Sequence, residues 1–271
     1  MDTSLIPRPP IAVLLASGHH TDLGQVRKVN QDSLLVMEMD KVNQSMPSPL
    51  GLYVVADGLG GYEGGEIASG LAVSAIARSA QSELFKNFID GSLDEATTLN
   101  WLQAVVKRAN QEVLEKRTAA NSEMGSTLVM AVVNGLNLCL AHVGDSRAYR
   151  LNSSGDLERL TYDHSLVEEL VKAKQLTPDQ AKGHNLSSVV YKTIGQKEDV
   201  EPEVRSVELE PGDRLILCCD GLNGMISDEQ ITAIAHAASS PAEAAHRLVT
   251  AANEAGGRDN ITAIVVEVSI R

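Results

Sequence analysis

Two apolar runs, residues 127–133 and 136–143, are separated only by Asn134-Gly135, and no other feature narrows the possible folds as sharply. Asn-Gly suits a type I′ turn, whose two central residues both need positive φ, so the pair predicts a tight antiparallel hairpin. A further run at 147–151 follows at once and leads through Asn152-Ser153-Ser154-Gly155 into another short strand. Parallel strands need long crossovers, and none fits here, so a doubly wound parallel sheet is disfavoured.

The remaining elements follow from spacing. Strand-like runs occupy 11–16, 33–39, 52–56, 214–219 and 261–268, with Asp57 ending the third of them. Helical apolar spacing runs from 63 to about 88, stopping near Asp90-Gly91, and from 96 to about 118. Two further helices are signalled near the C-terminus, by Ser227 with Gln230 and by Ser240-Pro241 with Glu243. Ser165 with Glu168 reads as a capping box opening a short polar helix. From there to about Val200 the chain is at its least regular, and residues 166–200 read as an inserted flap. Helices therefore come in pairs between groups of antiparallel strands. Both must cover apolar faces, so the predicted fold is α+β, a layered sandwich with helices outside two sheets. Residues 1–10 are a loose Pro-containing lead-in, and 11–271 form one domain.

Composition removes several function classes. Apolar residues make up 43% of the 271, enough for a sizeable core, with Val, Ile, Leu and Ala filling it because aromatics are only 3%. A formal net charge of −13 repels phosphate backbones and anionic lipid, so neither nucleic acid nor a membrane is expected as partner. Cys139, Cys218 and Cys219 are odd in number, and the adjacent pair lies in an apolar run. They read as buried free thiols in a reducing compartment. No signal peptide or membrane-spanning stretch is legible, which makes a cytoplasmic protein the expectation.

Asp32, Asp57, Asp145, Asp220 and Asp259 lie far apart in sequence, yet each sits where a strand-like run meets a turn. Carboxylates gathered together resist ionising unless a cation supplies opposite charge, so the pattern predicts bound metal. Val54-Val55-Ala56-Asp57-Gly58-Leu59-Gly60-Gly61 delivers a carboxylate from a buried strand into a glycine-rich turn where backbone can approach a ligand. Cys219-Asp220-Gly221 repeats the strand-Asp-Gly form, and Asp259-Asn260 precedes the last strand. No His or Cys cluster has ligand spacing along the chain, so the predicted site is oxygen-only and suits Mg2+ or Mn2+. His142 and His164 read as structural. Two hard ions about 4 Å apart can activate a water and neutralise a phosphoryl group, which implies hydrolysis. Arg27 offers a planar fork for phosphate oxygens. A dinucleotide loop at Gly58–Gly64 is rejected, because Glu63 replaces the last glycine and Asp57 would sit beside the pyrophosphate. Asp163-His164-Ser165 is not a hydrolase triad, since sequence neighbours cannot converge their side chains.

The motifs at 24–32, 55–61, Gly125-Ser126-Thr127, His142-Val143-Gly144-Asp145-Ser146-Arg147, Thr161 with Asp163-His164-Ser165, 219–222 and 258–262 together resemble the metal-dependent serine/threonine protein phosphatases of type 2C, in their compact bacterial form. The resemblance spans residues 18–270. It implies an α-β-β-α sandwich with two or possibly three Mn2+ or Mg2+ ions in a cleft at one end of the sheets. By similarity, Asp57 bridges two ions, Gly58 offers its carbonyl, Asp220 and Asp259 complete one ion, and Asp32 serves the second through water. Asp145 resembles the ligand that, with Asp220, holds a third ion. Arg27 takes substrate phosphate. The implied activity is hydrolysis of phosphoserine and phosphothreonine in proteins by metal-activated water, without a phosphoenzyme, in a monomeric bacterial signalling protein. Two departures stand out: Gln31 occupies a position where many members are acidic, and Tyr62 one where several carry His. The alternative is a phosphatase-like binding or scaffold module that has lost its ligands. Retention of Asp57, Gly58, Asp220 and Asp259 argues against it.

Overall fold

A computed structural model describes residues 12–43, 46–60, 64–181, 184–186 and 189–271. The lead-in at 1–10, the start of the first predicted strand and Tyr62 lie outside the described residues.

The first sheet carries, in spatial order, β1 (Val13–Asp22), β11 (Ile261–Ile270), β10 (Arg214–Cys218), β7 (Arg147–Leu151) and β8 (Leu157–Arg159). The second carries β2 (Asp32–Asn43), β3 (Met46–Leu59), β5 (Leu128–Asn134), β6 (Asn137–Val143) and β9 (Glu203–Glu208), with the two-residue β4 (Gly125–Ser126) beside the end of β3. All these pairings are antiparallel.

Residue parity explains the layers, because successive side chains of a strand point to opposite faces. Tyr53 and Val55 of β3, Val129, Ala131 and Val133 of β5 and Leu138 and Leu140 of β6 face Leu215, Leu217, Ile264, Val266 and Val268 of the other sheet. Their alternates, Leu52, Val54, Leu128, Met130 and Val132, pack outward against α1 (Gly65–Ser79) and α3 (Glu95–Ala120). Ile216, Cys218, Ala263 and Val265 pack outward against α7 (Asp228–Ala237) and α8 (Pro241–Glu254). Covering both faces is why the central strands read as continuous apolar runs rather than alternating ones. Each such buried aliphatic side chain contributes about 1.5–3 kcal/mol. The predicted four-layer sandwich is what the chain adopts.

Several local expectations need correction. The hairpin pairs Asn134 with Asn137, so its turn is Gly135-Leu136, one residue later than predicted. Only Gly135 has positive φ (+62°) there, which relieves Leu136 of a left-handed conformation that would strain its side chain. β3 does not end at Asp57 but continues to Leu59, because Gly58 and Leu59 pair with Ser126 and Gly125. The first predicted helix is interrupted by a π turn at Ala80–Leu84 before α2 (Phe85–Asp90). Ser165 accepts from the Glu168 amide at the start of α4 (Leu166–Lys172), but the Glu168 carboxylate turns to Arg159, so only half of that capping box forms. The box at Ser227 and Gln230 is complete. Within 166–200 lie α4 and α5 (Pro178–Ala181), and the segment is fastened by bridges from Val190 to Ser165 and from Ile194 to Ser126.

Candidate metal centre

Strand register brings the aspartates to one end of the sandwich. Asp32 lies directly opposite Asp57 across β2 and β3. In the other sheet the ends of β1 and β10 and the starts of β7 and β11 coincide, since Asp22 pairs with Ile261, Cys218 with Ala263 and Arg147 with Cys218. Asp220 opens the short α6 (Asp220–Asn223) just beyond β10, Asp259 precedes β11, and Asp145 lies in the link that carries the chain from β6 to β7 across the sheets.

Like charges directly opposite in a sheet are destabilising, and burial makes them more so. Burial first, and then Asp32, Asp220, Asp145 and Asp259, push the Asp57 carboxyl well above the usual carboxylate range. Burial likewise raises Asp32 to about 7, against hydrogen bonds that lower it, with Asp220 and Asp259 adding to the rise. Asp145 rises to about 8 through burial and then Asp220 and Asp163. Asp220 is raised by burial and by Asp259. One oxygen each of Asp32 and Asp220, Oδ1 in both, is buried without a hydrogen-bond partner. Buried acceptors left unpaired are costly, and a hard divalent cation satisfies them. The donor set therefore fits Mg2+ or Mn2+.

A hydrogen-bonded frame fixes these carboxylates. Asp57 N donates to Thr127 Oγ1 (3.1 Å), Thr127 N donates to the Asp57 carbonyl (2.8 Å), and Ser126 Oγ donates to the same carbonyl (3.0 Å). Thr127 Oγ1 also meets Ser146 Oγ at 2.7 Å, which ties the Asp57 strand to the residue after Asp145. Thr262 Oγ1 donates to Asp32 Oδ2 at 2.6 Å. Gly58 admits no side chain, since a Cβ there would lie 2.1 Å from the Gly65 carbonyl oxygen and 2.6 Å from that of Gln31. Gly58→Ala is accordingly expected to cost about 2 kcal/mol or more of stability, checked by thermal melting.

Arg27 Nη2 donates to Asp259 Oδ2 at 2.5 Å, and that bond chiefly raises the Arg27 pKa, with smaller contributions from Asp220 and Asp57. The one guanidinium fork foreseen for phosphate thus stands at the rim of the carboxylates. Gln31 Nε2 donates to Glu66 Oε2 (3.1 Å), so a carboxylate from the start of α1 stands beside the position where a local one is missing.

Sequence spacing missed three features. Asn260 holds the β1–β2 connection, donating from Nδ2 to the Leu23 and Val29 carbonyls (2.9 and 3.0 Å) and accepting from Gln31 N (2.8 Å). The Cys219 sulfur lies within 4.8 Å of carboxylate oxygens of Asp32 and Asp57, which no spacing along the chain indicates. It is already bonded, accepting from Thr262 N (3.1 Å) and donating to the Asn260 carbonyl (3.4 Å), and burial raises its pKa far above normal. Oxygen donors therefore remain the fitting set. His142, His164 and Glu203 also cluster within 4.8 Å. His164 Nδ1 accepts from Gly144 N (2.9 Å), leaving the Nε2 proton for Glu203 Oε1 (3.1 Å). In that tautomer His164 offers a cation no lone pair, while burial pushes the stacked His142 down to about 3 and leaves both its ring nitrogens without a hydrogen-bond partner.

The model of a family described as protein phosphatase 2C matches residues 25–257. The chain is similar to the protein phosphatase PhpP of Streptococcus pneumoniae, 35% identical over 251 residues, which covers 92% of this chain and 96% of that protein. It superposes on the serine/threonine phosphatase PstP/Ppp of Mycobacterium tuberculosis with a TM-score of 0.80 at 32% identity, over 94% of this chain and 99% of that one. The catalytic domain of PstP in complex with two manganese ions gives a TM-score of 0.79 at 31% identity, over 95% of this chain and all of that one.

Proposed function

Because the chain belongs to the protein phosphatase 2C family, it is a metal-dependent serine/threonine protein phosphatase, and we propose that its own carboxylate cluster is the catalytic centre. The observation that carries this reading is the pair of half-buried, facing aspartates, Asp32 and Asp57, with buried and unpaired Asp32 and Asp220 oxygens beside them. Asp57 with the Gly58 carbonyl, and Asp220 with Asp259, would hold Mn2+ or Mg2+ ions here, Asp32 would serve a second ion through water, and Asp145 with Asp220 would be the residues for a third. The relative crystallised with two manganese ions supports that choice of metal. When bound, such ions acidify a water into a nucleophile and offset charge on the phosphoryl group.

The chain's residues supply position and charge. Ser126 and Thr127 hold Asp57 still through its backbone, and Thr262 orients Asp32. Arg27 turns its fork from Asp259 to the phosphate oxygens of phosphoserine or phosphothreonine, binding ground state and transition state alike. Arg27→Ala should therefore raise KM for a phosphopeptide about tenfold with a smaller change in kcat, as steady-state kinetics at saturating Mn2+ would register. Residues 166–200 serve as a flap that borders the cleft and influences substrate choice. The acidic net charge favours a monomer acting on phosphoproteins rather than on nucleic acid, the buried free thiols Cys139, Cys218 and Cys219 suit the cytoplasm, and no described helix is long and apolar enough to cross a membrane.

The test is turnover of p-nitrophenyl phosphate and a phosphothreonine peptide with Mn2+, with chelator, and by Asp57→Asn with Mn2+. Turnover is expected in the first condition alone. Equal rates in all three would overturn the assignment, and phosphopeptide binding without turnover in any of them would favour a scaffold.

A further inference from the structure

Leu23, Val26 and Val29 are exposed at 38%, 65% and 47%, and all three fall within the one connection that also carries Arg27. Single exposed apolar residues are ordinary on a protein surface. These three are not scattered, and the loop that displays them is held firmly. Gly24, at φ +82°, donates to Asp22 Oδ1 (2.8 Å) and packs so closely that a Cβ would lie 2.2 Å from the Asp259 carbonyl oxygen. Gln25 N donates to the Gly257 carbonyl at 2.7 Å. Asn260, buried at 4% exposure, grips the carbonyls of Leu23 and Val29 at the two ends of the loop. The residue after Asp259 thus fixes the loop that presents Arg27 toward the carboxylates. Val26 and Val29 have few rotamers to lose on contact, so a partner meeting them finds a preorganised apolar surface.

We infer that Leu23, Val26 and Val29 form a specificity surface for an apolar side chain next to the phosphorylated residue of a protein substrate. The inference rests on the phosphatase reading and adds a substrate class to it. Two observations choose this occupant. The three residues share the β1–β2 connection with Arg27, whose guanidinium is bonded to Asp259 at the carboxylate cluster. Arg27-Lys28 is also a cationic pair on a chain of net charge −13, which suits a phosphorylated segment. A second copy of the chain suits it less, since a stable dimer buries roughly 800 Å2 per partner and three side chains offer far less.

The test uses two phosphothreonine peptides of equal charge, one with Leu and one with Ser on both sides of the phosphothreonine, and p-nitrophenyl phosphate as a substrate without neighbours. The wild-type protein should prefer the Leu peptide about tenfold in kcat/KM, mainly through KM. Val26→Ser with Val29→Ser should reduce that preference to about twofold or less while p-nitrophenyl phosphate turnover stays within about twofold of wild type. Val26→Thr with Val29→Thr, which keeps the side-chain shape, should do the same if the serine variant folds poorly. Absence of a preference in the wild type, or its survival in both double variants, would overturn the inference. So would a wild-type dimer, seen by light scattering, that the variants dissociate. A missing preference alongside Mn2+-dependent turnover sinks this inference alone, whereas turnover indifferent to Mn2+ sinks the assignment of the metal centre beneath it.

Discussion

Asp57→Asn is expected to lower kcat for a phosphothreonine peptide by about a thousandfold or more and, in chelator, to raise the thermal midpoint. The two effects have one cause. Asp57 faces Asp32 across neighbouring strands, and burial together with Asp32, Asp220, Asp145 and Asp259 already resists its ionisation. Asparagine keeps the shape but spares the cluster a carboxyl that, without cation, must either ionise beside its neighbours or hold a proton that the unfolded chain would release. Without a cation, repulsion and desolvation are relieved by about 1 kcal/mol or more. With a cation available, the residue proposed to be shared between two ions is gone. Calorimetry in chelator beside steady-state kinetics in Mn2+ would measure both. Opposite signs separate the proposal from simple misfolding, which would lower midpoint and turnover together. Wild-type turnover, or a lowered midpoint in chelator, would contradict the assignment.

The second large effect is a stability that falls as pH rises, in the absence of divalent cation. An aspartate in the unfolded chain titrates near its ordinary 3.8, whereas Asp32 is raised to about 7 and Asp145 to about 8 in the fold. Between about pH 4 and pH 8 the folded chain therefore holds protons that the unfolded chain has released. Stability from these groups is fully present at the acid end of that window and is lost as pH climbs through the folded values. Each such group contributes up to about 1.4 kcal/mol per pH unit, and coupling within the cluster reduces the sum to the order of 2–4 kcal/mol. That corresponds to a midpoint lower by roughly 5–10 °C at pH 8 than at pH 5. Asp22 and Glu66 carry the opposite sign, since hydrogen bonds lower their pKa values and they lose stability only in acid. Starting at pH 5 keeps them out of the comparison. Added Mn2+ should stabilise more at pH 8 than at pH 5, because at pH 5 it must displace protons from the carboxylates. Midpoints in chelator that hold level or rise from pH 5 to pH 8 would count against a proton-sharing cluster.

Much of this architecture is legible in the sequence alone. Strand-end aspartates separated by whole elements made sense only if the strand ends met, and the antiparallel pattern around residues 127–151 supplied a topology in which they do. What escaped was set by contacts between distant segments. Gly135 decided the hairpin register, since its freedom at positive φ outweighed the usual Asn-Gly placement. β9 went unseen because Glu203–Glu208 offers only Val204 and Val207 as apolar residues, three apart, and its stability comes from pairing with β6 at the sheet edge. The part of Asn260 in gripping the loop of Arg27, like that of Thr127 in joining the Asp57 strand to Ser146, depends on side chains that meet only after the sheets have stacked. Glu66 sits beside Gln31 because β2 and α1 pack together, and nothing at Gln31 itself announces that neighbour.

The central claim is that this carboxylate cluster holds the divalent ions on which turnover depends, and a Mn2+ titration of chelator-stripped protein, with bound ions counted calorimetrically and turnover followed in the same samples, tests it most directly. At least two ions should bind per chain, with activity rising in step with the second, and Asp57→Asn should lose both binding and activity. Full turnover before any Mn2+ is added, or an Asp57→Asn protein that binds two ions as tightly as wild type, would contradict it.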